Sequence, residues 1–523
     1  MKILPHWANR HIGRSLLVVC ITLVVAGCSP LPALTDRTVS TALSQQDAQQ
    51  TKLGRTITAL EAKHPDQSGI YPLNDPHEAF AVRALLAASA ERTLDIQYYI
   101  WHDDLTGTLM FDALRTAADR GIRVRLLLDD NDTSGLDPTL AALNMHHNIE
   151  VRVFNPFVPR SPRWLSYITD FSRVNRRMHN KSFTSDNMAT IIGGRNVGDE
   201  YFGATHDVLF SDLDVLAVGP VVRDVSADFD KYWRSESAYP VDLLLEKPDE
   251  KALEKLQERA DAYRSKPEAA AYIKALKESN LVSHLHSGDI DLDWAKTQMV
   301  SDDPAKGLKD LPPDQLMAYD MKRILGEPKS SADLVSAYFV PTKAGVEGFV
   351  QMAGRGVKVR ILTNSLEATD VAAVHAGYAK RRKPLLEAGV KLYELRRLPS
   401  EEGGRHRNSM FGSSGSSLHA KTFSVDDARV FIGSFNFDPR SAKLNTELGF
   451  VIDSPVLAKK ISEIFLEKVP STAYEVRLSE NGDVYWLEQK DGQELRYDSE
   501  PGASLGRRVL VEVLSLLPVE WLL

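Results

Sequence analysis

Two stretches of the chain carry one polar signature: His179-Asn180-Lys181, Asp186, Gly193 and Asn196 in the first, and His419-Ala420-Lys421, Asp426, Gly433 and Asn436 in the second, offset by 240 residues at every matched position. An offset held over five positions marks a duplicated unit rather than a chance motif. It confines the chain to folds in which one half repeats the other. The hydrophobic pattern agrees. Leu94 to Ile100 reads as a strand, Thr108 to Arg120 as a helix and Ile122 to Leu128 as a second strand; the order returns as Leu334 to Val340, Gly345 to Arg355 and Val357 to Leu362, with Gly121 matched by Gly356. Strand, helix and strand in that order form a βαβ unit with a buried parallel sheet. The expected fold class is therefore α/β, with two fused lobes packed as a pseudo-dimer.

At about 150 residues per domain, the 523 residues hold two to four domains. Residues 1–27 read as a signal peptide: Lys2, Arg10 and Arg14 precede the uncharged run Ser15 to Gly27, which is too short to favour a stable span. The run ends Val25-Ala26-Gly27-Cys28, which resembles a bacterial lipobox. That resemblance implies cleavage before Cys28 and its acylation; an uncleaved signal anchor is the alternative. Either way the body is held at a membrane of a bacterial cell envelope, facing the periplasm, and Ser29 resembles the outer-membrane sorting rule.

Residues 28–75, rich in polar side chains, read as a tether with room for one polar helix, 76–245 as the first lobe, 246–328 as a helical insertion and 329–473 as the second lobe. Residues 398–416 read as a flexible loop. In 474–523, three short strands are separated by Asn481-Gly482 and Asp491-Gly492, both hairpin signals. The apolar segment Leu505 to Leu523 then either lies at a membrane interface or packs on the protein's own core. Cys20 and Cys28 are the only cysteines, which excludes a disulfide framework and a cysteine-ligated zinc site. A net charge of -8 argues against a nucleic-acid partner.

Each signature reads as a hairpin in which His179 and Lys181, or His419 and Lys421, project from one strand face, and glycines after the return strand let Asn196 or Asn436 face the same place. Two lobes packed together then bring two imidazoles, two ammonium groups and two amides to one cavity. Such a cavity suits a phosphodiester. The cations and amides stabilise the charge that builds on the phosphoryl oxygens, one imidazole attacks phosphorus, and the other protonates the departing alkoxide. This route needs no cofactor and no metal. The histidines must hold opposite protonation states, and Asp212 and Glu447, which follow the two motifs, are the candidates to orient them. Asp186 and Asp426 complete the motif from the hairpin turns, where they hold the turn or orient neighbours.

These residues resemble the phospholipase D superfamily. Segments such as LDIQYYIWHDDLTG, IIGGRNVGDEYF, FSDLDVLAVGP, SDDPAKG, SLHAKTF and FIGSFNFDPRSAKLNTELGF look like its bacterial cardiolipin synthase branch, from about residue 70 to the C-terminus. The resemblance implies transfer of a phosphatidyl group through a phosphohistidine, with phospholipids as substrates and a membrane surface as partner. Phosphatidylglycerol would be the acceptor and phosphatidylethanolamine or another phospholipid the donor. It also implies that His179 is the nucleophile, His419 the acid/base, and Lys181, Asn196, Lys421, Ser434 and Asn436 the phosphate contacts. Position 194 is Gly where the second copy has Ser434, so a hydroxyl contact comes from one side only. Hydrolysis to phosphatidate, a nuclease and a catalytically silent lipid-binding protein are the alternatives.

Other clusters read more plainly. Asp129-Asp130-Asn131-Asp132 is expected to form a turn and cap, because the equivalent Thr363-Asn364-Ser365 lacks carboxylates. Arg173, Arg176 and Arg177, and Lys380 to Lys383, read as solvated charge, with contact to anionic headgroups as the alternative. His102, His206, His375 and His406 match no repeated spacing and are read as non-catalytic.

Overall fold

The computed structural model describes residues 31–35, 37–203, 212–397, 418–490 and 492–516. The signal segment with Cys28, the 398–416 loop, His206, His406 and the last residues of the apolar C-terminus lie outside the described residues.

The first sheet contains β1 (Ser68–Leu73), β2 (Thr93–Tyr98), β3 (Arg123–Asp129), β4 (Ile149–Phe154), β5 (Ser182–Ser185), β6 (Ala189–Gly193), β7 (Asp214–Val218) and β8 (Ala238–Pro240). Their spatial order is β8-β4-β3-β2-β5-β6-β7-β1. The expected parallel sheet is thus confined to β2, β3 and β4, with antiparallel strands on both sides. Helices Pro76–Ser89 and Leu105–Asp119 start where Asp75 and Asp104 accept the amides of Glu78 and Gly107, the side-chain cap that an exposed first turn requires. After its first residue β3 is buried throughout, which is why its apolar run does not alternate. Arg125 interrupts that run and is matched by Asp95 directly opposite on β2, with bonds of 2.6 and 2.8 Å.

The second sheet contains β9 (Asp293–Ser301), β10 (Ser331–Ser336), β11 (Lys358–Asn364), β12 (Lys391–Leu395), β13 (Lys421–Val425), β14 (Arg429–Gly433), β15 (Leu448–Asp453), β16 (Ala473–Leu478), β17 (Val484–Lys490) and β18 (Gln493–Tyr497). Its order, β18-β17-β16-β12-β11-β10-β13-β14-β15-β9, contains the first sheet's β4-β3-β2-β5-β6-β7 as β12-β11-β10-β13-β14-β15. The buried pair is duplicated too: Arg360 meets Asp333 across β11 and β10 at 2.6 and 2.7 Å. The lobes join through one apolar cluster that holds Ile192, Val215 and Ala217 with Ile432, Leu448 and Phe450.

Three expected segments differ from the structure. Within 28–75, the described residues from Arg37 onward are built into the first lobe rather than forming a tether: Leu53 and Ile57 are buried, and β1 pairs with β7. The helix expected there is Lys52–Glu61, but its apolar face and the short strand β1 pack into the lobe, which the polar composition concealed. The 246–328 segment begins with helices but then supplies β9, which pairs with β1 through Ser68 to Ile70 and with β15 through Leu448 to Asp453. It is the common edge of both sheets. The C-terminal strands extend the second sheet through β12–β16 pairing instead of standing apart.

Both motif hairpins close in left-handed backbone, at Asp186 and Asn187 (φ 52 and 54) and at Asp426 and Asp427 (φ 55 and 50), a turn that Asx residues tolerate. The Asp186 carboxylate accepts the amides of Glu91, Arg92 and Thr93 at 2.8 to 2.9 Å. Asp426 accepts those of Lys329, Ser330 and Ser331 at 2.7 to 3.0 Å. These carboxylates pin the turn to the start of β2 or β10, at the hairpin end away from the histidines. Asp186→Ala strands three buried or half-buried amides and is expected to lower stability by roughly 2 to 3 kcal/mol, read from urea denaturation, with turnover of the folded enzyme kept within about twofold. A loss of turnover without a loss of stability would contradict this placement.

Candidate active site

The carboxyl ends of β2 and β10 face the segments that enter β5 and β13, because Gln97 pairs with Ser182 and Ser336 with Lys421. His179 and His419 therefore sit at equivalent places, just before the hairpins rather than within their strands. The lobes interlock at this point. His179 donates its amide to the Thr446 carbonyl at 2.9 Å, Thr446 returns its amide to Arg177 at 2.9 Å, and the Thr446 hydroxyl donates to Asn180 at 2.8 Å.

The ring partners are exchanged between lobes. His179 Nδ1 lies 2.8 Å from Glu447 Oε2, and His419 Nδ1 lies 2.7 Å from Asp212 Oδ2. A carboxylate that accepts Nδ1–H fixes the tautomer and leaves the Nε2 lone pair free. Lys181 and Lys421 each donate to the carbonyl of the histidine two residues earlier. Asn196 accepts the Ile100 amide at 3.1 Å, while Asn196 Nδ2 and Asn436 Oδ1 are buried with no hydrogen-bond partner among the described residues. Buried polar atoms of that kind are what a bound ligand satisfies.

The two half-sites differ electrically. Burial, followed by the charges of Lys181, Lys421 and His419, holds the His179 imidazole well below its ordinary pKa. Burial and Lys421 lower His419 as well, with Asp212 pushing back. Burial raises Glu447 to about 7 against the pull of Lys181, whereas burial of Asp212 is outweighed by His419, Lys421 and Arg195, which bring it to about 2. Desolvation also lowers Lys181 to about 7 and Lys421 to about 8.

The Gly194/Ser434 difference has a steric cause. A Cβ at Gly194 would stand 2.1 Å from Asp212 Oδ1, so a larger residue there must displace that carboxylate. In the other half the Ser434 hydroxyl donates to Glu447 Oε2 and accepts the Leu448 amide. Ser434, expected on phosphate, instead braces the carboxylate behind His179.

Several site residues carry no motif signal. Asp302 accepts the Glu447 amide at 3.0 Å, the Met317 amide at 2.9 Å and the Lys306 ammonium at 2.8 Å. The segment SDDPAKG contains both residues, but nothing in its spacing discloses a role. Tyr99 packs edge-on to His179 with ring centroids 4.9 Å apart, and Tyr201 packs likewise on His419 at 5.3 Å. Tyr99 has no tyrosine counterpart in the second lobe, where Ala337 holds the equivalent place and Tyr338 matches Ile100. Burial raises all three phenols, so they remain protonated.

The basic clusters are mostly structural. Arg177 pairs with Asp129, Arg176 with Asp310, Arg173 with Asp170, and Arg382 with Glu394 and Glu500. Apart from Asp170, three residues before Arg173, the partners lie too far along the chain for charge patterning to reveal them. Asp129 caps the turn of Asp130–Asp132 by accepting the Asn131 amide, as its sequence suggests. His102 bridges Asp132 and Glu200, which with their hydrogen bonds overcome burial and raise it to about 10.

A duplicated α/β sheet with two histidine-lysine half-sites at the lobe boundary is the architecture of the phospholipase D class. Its fold is shared with phosphatidylserine synthase from Haemophilus influenzae Rd KW20, at a TM-score of 0.56 and 14% identity over 90% of this chain and 100% of that one. The family model described as "Cardiolipin synthase, PLD-like domain" matches residues 84–233 and 321–469, once per lobe. The chain belongs to that family. It is 49% identical over 472 residues to cardiolipin synthase C of Escherichia coli (strain K12), covering 90% of this chain and 100% of that protein. It is 24% identical over 401 residues to a cardiolipin synthase of Staphylococcus aureus (strain N315), covering 76% and 67%.

The steric asymmetry leads to unequal outcomes. Gly194→Ser drives Asp212 from His419 and is expected to lower kcat about 100-fold or more, while Ser434→Gly leaves the His179–Glu447 contact in place and costs about tenfold. Steady-state kinetics on both variants checks this, and equal losses would contradict the geometry.

Proposed function

We propose that this protein is a membrane-associated phosphatidyltransferase that makes cardiolipin by transphosphatidylation, with phosphatidylglycerol as acceptor and phosphatidylethanolamine or phosphatidylglycerol as donor. The observation that carries this reading is the exchanged pairing of His179 with Glu447 and His419 with Asp212, which sets two oriented imidazoles at one lobe boundary in unequal surroundings. His179, the more deeply buried and more strongly depressed, is neutral at pH 7 and suited to attack. Its Nε2 forms the bond to phosphorus as the bond to the departing alcohol breaks. His419, whose imidazolium is supported by ionised Asp212, gives that alcohol its proton. The acceptor hydroxyl then attacks the phosphohistidine and passes its proton to His419. In this reading Lys181, Lys421, Asn196 and Asn436 stabilise the charge that gathers on the phosphoryl oxygens. Asp186 and Asp426 act only through the hairpins.

The membrane setting rests on the lipid substrate and on the Cys28 segment, which would tether the body to the periplasmic face of the envelope. No helix among the described residues is long and apolar enough to cross a membrane. A second reading, hydrolysis to phosphatidate, is favoured by the His419 side chain, which is 24% exposed and so within reach of water. Acid-quenched trapping with labelled donor lipid, followed by peptide mapping, tests both the intermediate and the nucleophile. Label on His179, abolished by His179→Ala, with cardiolipin as product, is the expected result. Label on His419 would reverse the assignment, and phosphatidate as sole product would favour the hydrolase.

The pH profile follows from the depressed groups. The folded-state pKa of His179 lies below the ordinary value, so its neutral form, and kcat/KM with it, persists well below pH 6.5 before falling. His419, also held below its ordinary value, loses its acid proton first as pH rises, and Lys181 and Lys421, brought to about 7 and 8, lose their charge next, so the alkaline limb of kcat/KM lies well short of 10. Anionic substrate favours the ammonium forms, so the alkaline limb of kcat alone is displaced upward. An alkaline limb of kcat/KM above pH 9.5 would contradict this.

A further inference from the structure

Among the described residues, more than half of the large apolar side chains that face solvent fall in two short segments. Trp164, Tyr167, Ile168 and Phe171 are 58, 42, 71 and 40% exposed and lie within the three short helical turns between residues 163 and 174. Leu505, Val509, Leu510, Val513 and Leu516 are 76, 49, 47, 52 and 85% exposed on the C-terminal helix Leu505–Leu516. The opposite side of that helix packs Val511 and Leu514 against the cluster around Leu366 and Ala376. The sequence reading of this segment offered a membrane interface or a packed core, and the helix has an apolar face for each.

Both segments stand at the carboxyl ends of parallel strands, where the histidines also lie. The first follows β4 and is tied to the site in two steps: the Tyr167 hydroxyl donates to Asn131 at 3.2 Å, and Asn131 donates to Tyr99, the ring against His179, at 3.2 Å. The second is held by Arg507 on the Thr369 carbonyl, beside Asp370, which accepts the Tyr338 hydroxyl at 2.7 Å. The first segment is thus tied to Tyr99, just after β2, and the second is held beside the partner of Tyr338, just after β10. Cations accompany the second patch. Arg507 and Arg508 bond to neutral groups, the carbonyls of Thr369 and Ala503 and the Ser499 hydroxyl, and Lys380 is exposed at the end of the Ala372–Ala379 helix that packs against the C-terminal one. Cationic side chains beside apolar ones match the layering of anionic headgroups over acyl chains.

We infer that the two segments form a paired docking surface for an anionic phospholipid bilayer, one patch from each lobe, that seats the site against lipids still in the membrane. The inference rests on the proposed function only in taking the substrate to be a bilayer lipid. In the full chain carrying Cys20→Ser and Cys28→Ser, no other cysteine remains, so Ile168→Cys and Val513→Cys can each be labelled with an environment-sensitive fluorophore. Val456→Cys is the reference, 55% exposed and next to the end of β15 remote from the site. Vesicles of phosphatidylglycerol and phosphatidylcholine are expected to shift emission to the blue at 168 and 513 and not at 456. Silence at 168 or 513, or an equal shift at 456, overturns the inference. So does a shift that depends on protein concentration without vesicles, which would assign the patches to self-association. Ile168→Ser combined with Val513→Ser is expected to lower turnover on vesicles by about fivefold or more, while turnover on monomeric short-chain phosphatidylglycerol stays within about twofold. Unchanged turnover on vesicles also overturns it. Absence of phosphatidyl transfer by the unaltered chain on both substrates would sink the functional reading alone, since the fluorescence shifts need no turnover.

Discussion

The site depends on two hydrogen bonds that cross between lobes, from His179 to Glu447 and from His419 to Asp212. Neither lobe supplies the carboxylate for its own motif histidine. Separated, each would leave a buried carboxylate without its partner and an imidazole free to rotate, and a buried charge stripped of its partner costs about 3 to 5 kcal/mol. The apolar cluster that joins Ile192 and Val215 to Ile432 and Phe450 therefore does more than hold two domains together. It fixes the distance across which the rings and carboxylates meet, and side-chain packing resists the small displacements that would misalign them.

Duplication supplies two copies of one motif, yet the chemistry needs two different histidines. The difference is made behind the motif. One methylene separates Glu447 from Asp212, and the residue facing each carboxylate changes with it: Ser434 bonds the longer side chain, while Gly194 leaves room for the shorter one. Asp212, with the charges of His419, Lys421 and Arg195 around it, stays ionised and favours a protonated partner. Glu447 is lifted towards 7 by burial and gives its histidine less support for a proton. Both imidazoles are depressed, but the second layer resists that depression at His419 and not at His179, so identical side chains acquire unequal surroundings.

The repeated unit, its βαβ order and the convergence of His179, Lys181, His419 and Lys421 were legible in the sequence because an exact offset leaves a trace that needs no tertiary knowledge. Asp212 and Glu447 were legible as candidates, but the exchange of partners was not, since chain order says nothing about which lobe's carboxylate reaches which ring. The tether reading of residues 28–75 failed for a related reason. Leu53, Ile57, Ile70 and Leu73 are few among many polar residues, and only the sheet edge and helices of the first lobe turn them into core. Charge patterning likewise could not tell a solvated arginine from Arg177, whose partner Asp129 lies on a different element.

The segment between the lobes illustrates how connection and chemistry are coupled. A purely helical insertion would be a spacer, tolerant of change in the way long surface insertions are. Here it lays β9 along both sheets, so that the strand which closes the lobe interface ends at Ser301, opposite Leu448 and next to Glu447. Asp302 follows at once and accepts the Glu447 amide, while Lys306 neutralises Asp302 and donates to the Ser441 carbonyl. The register of β9 consequently sets the backbone position of the carboxylate that orients His179. A slip of one residue would reverse the faces of β9 and remove Asp302 from Glu447, so the connection that makes two lobes one sheet system also holds one of the two half-sites in its working geometry.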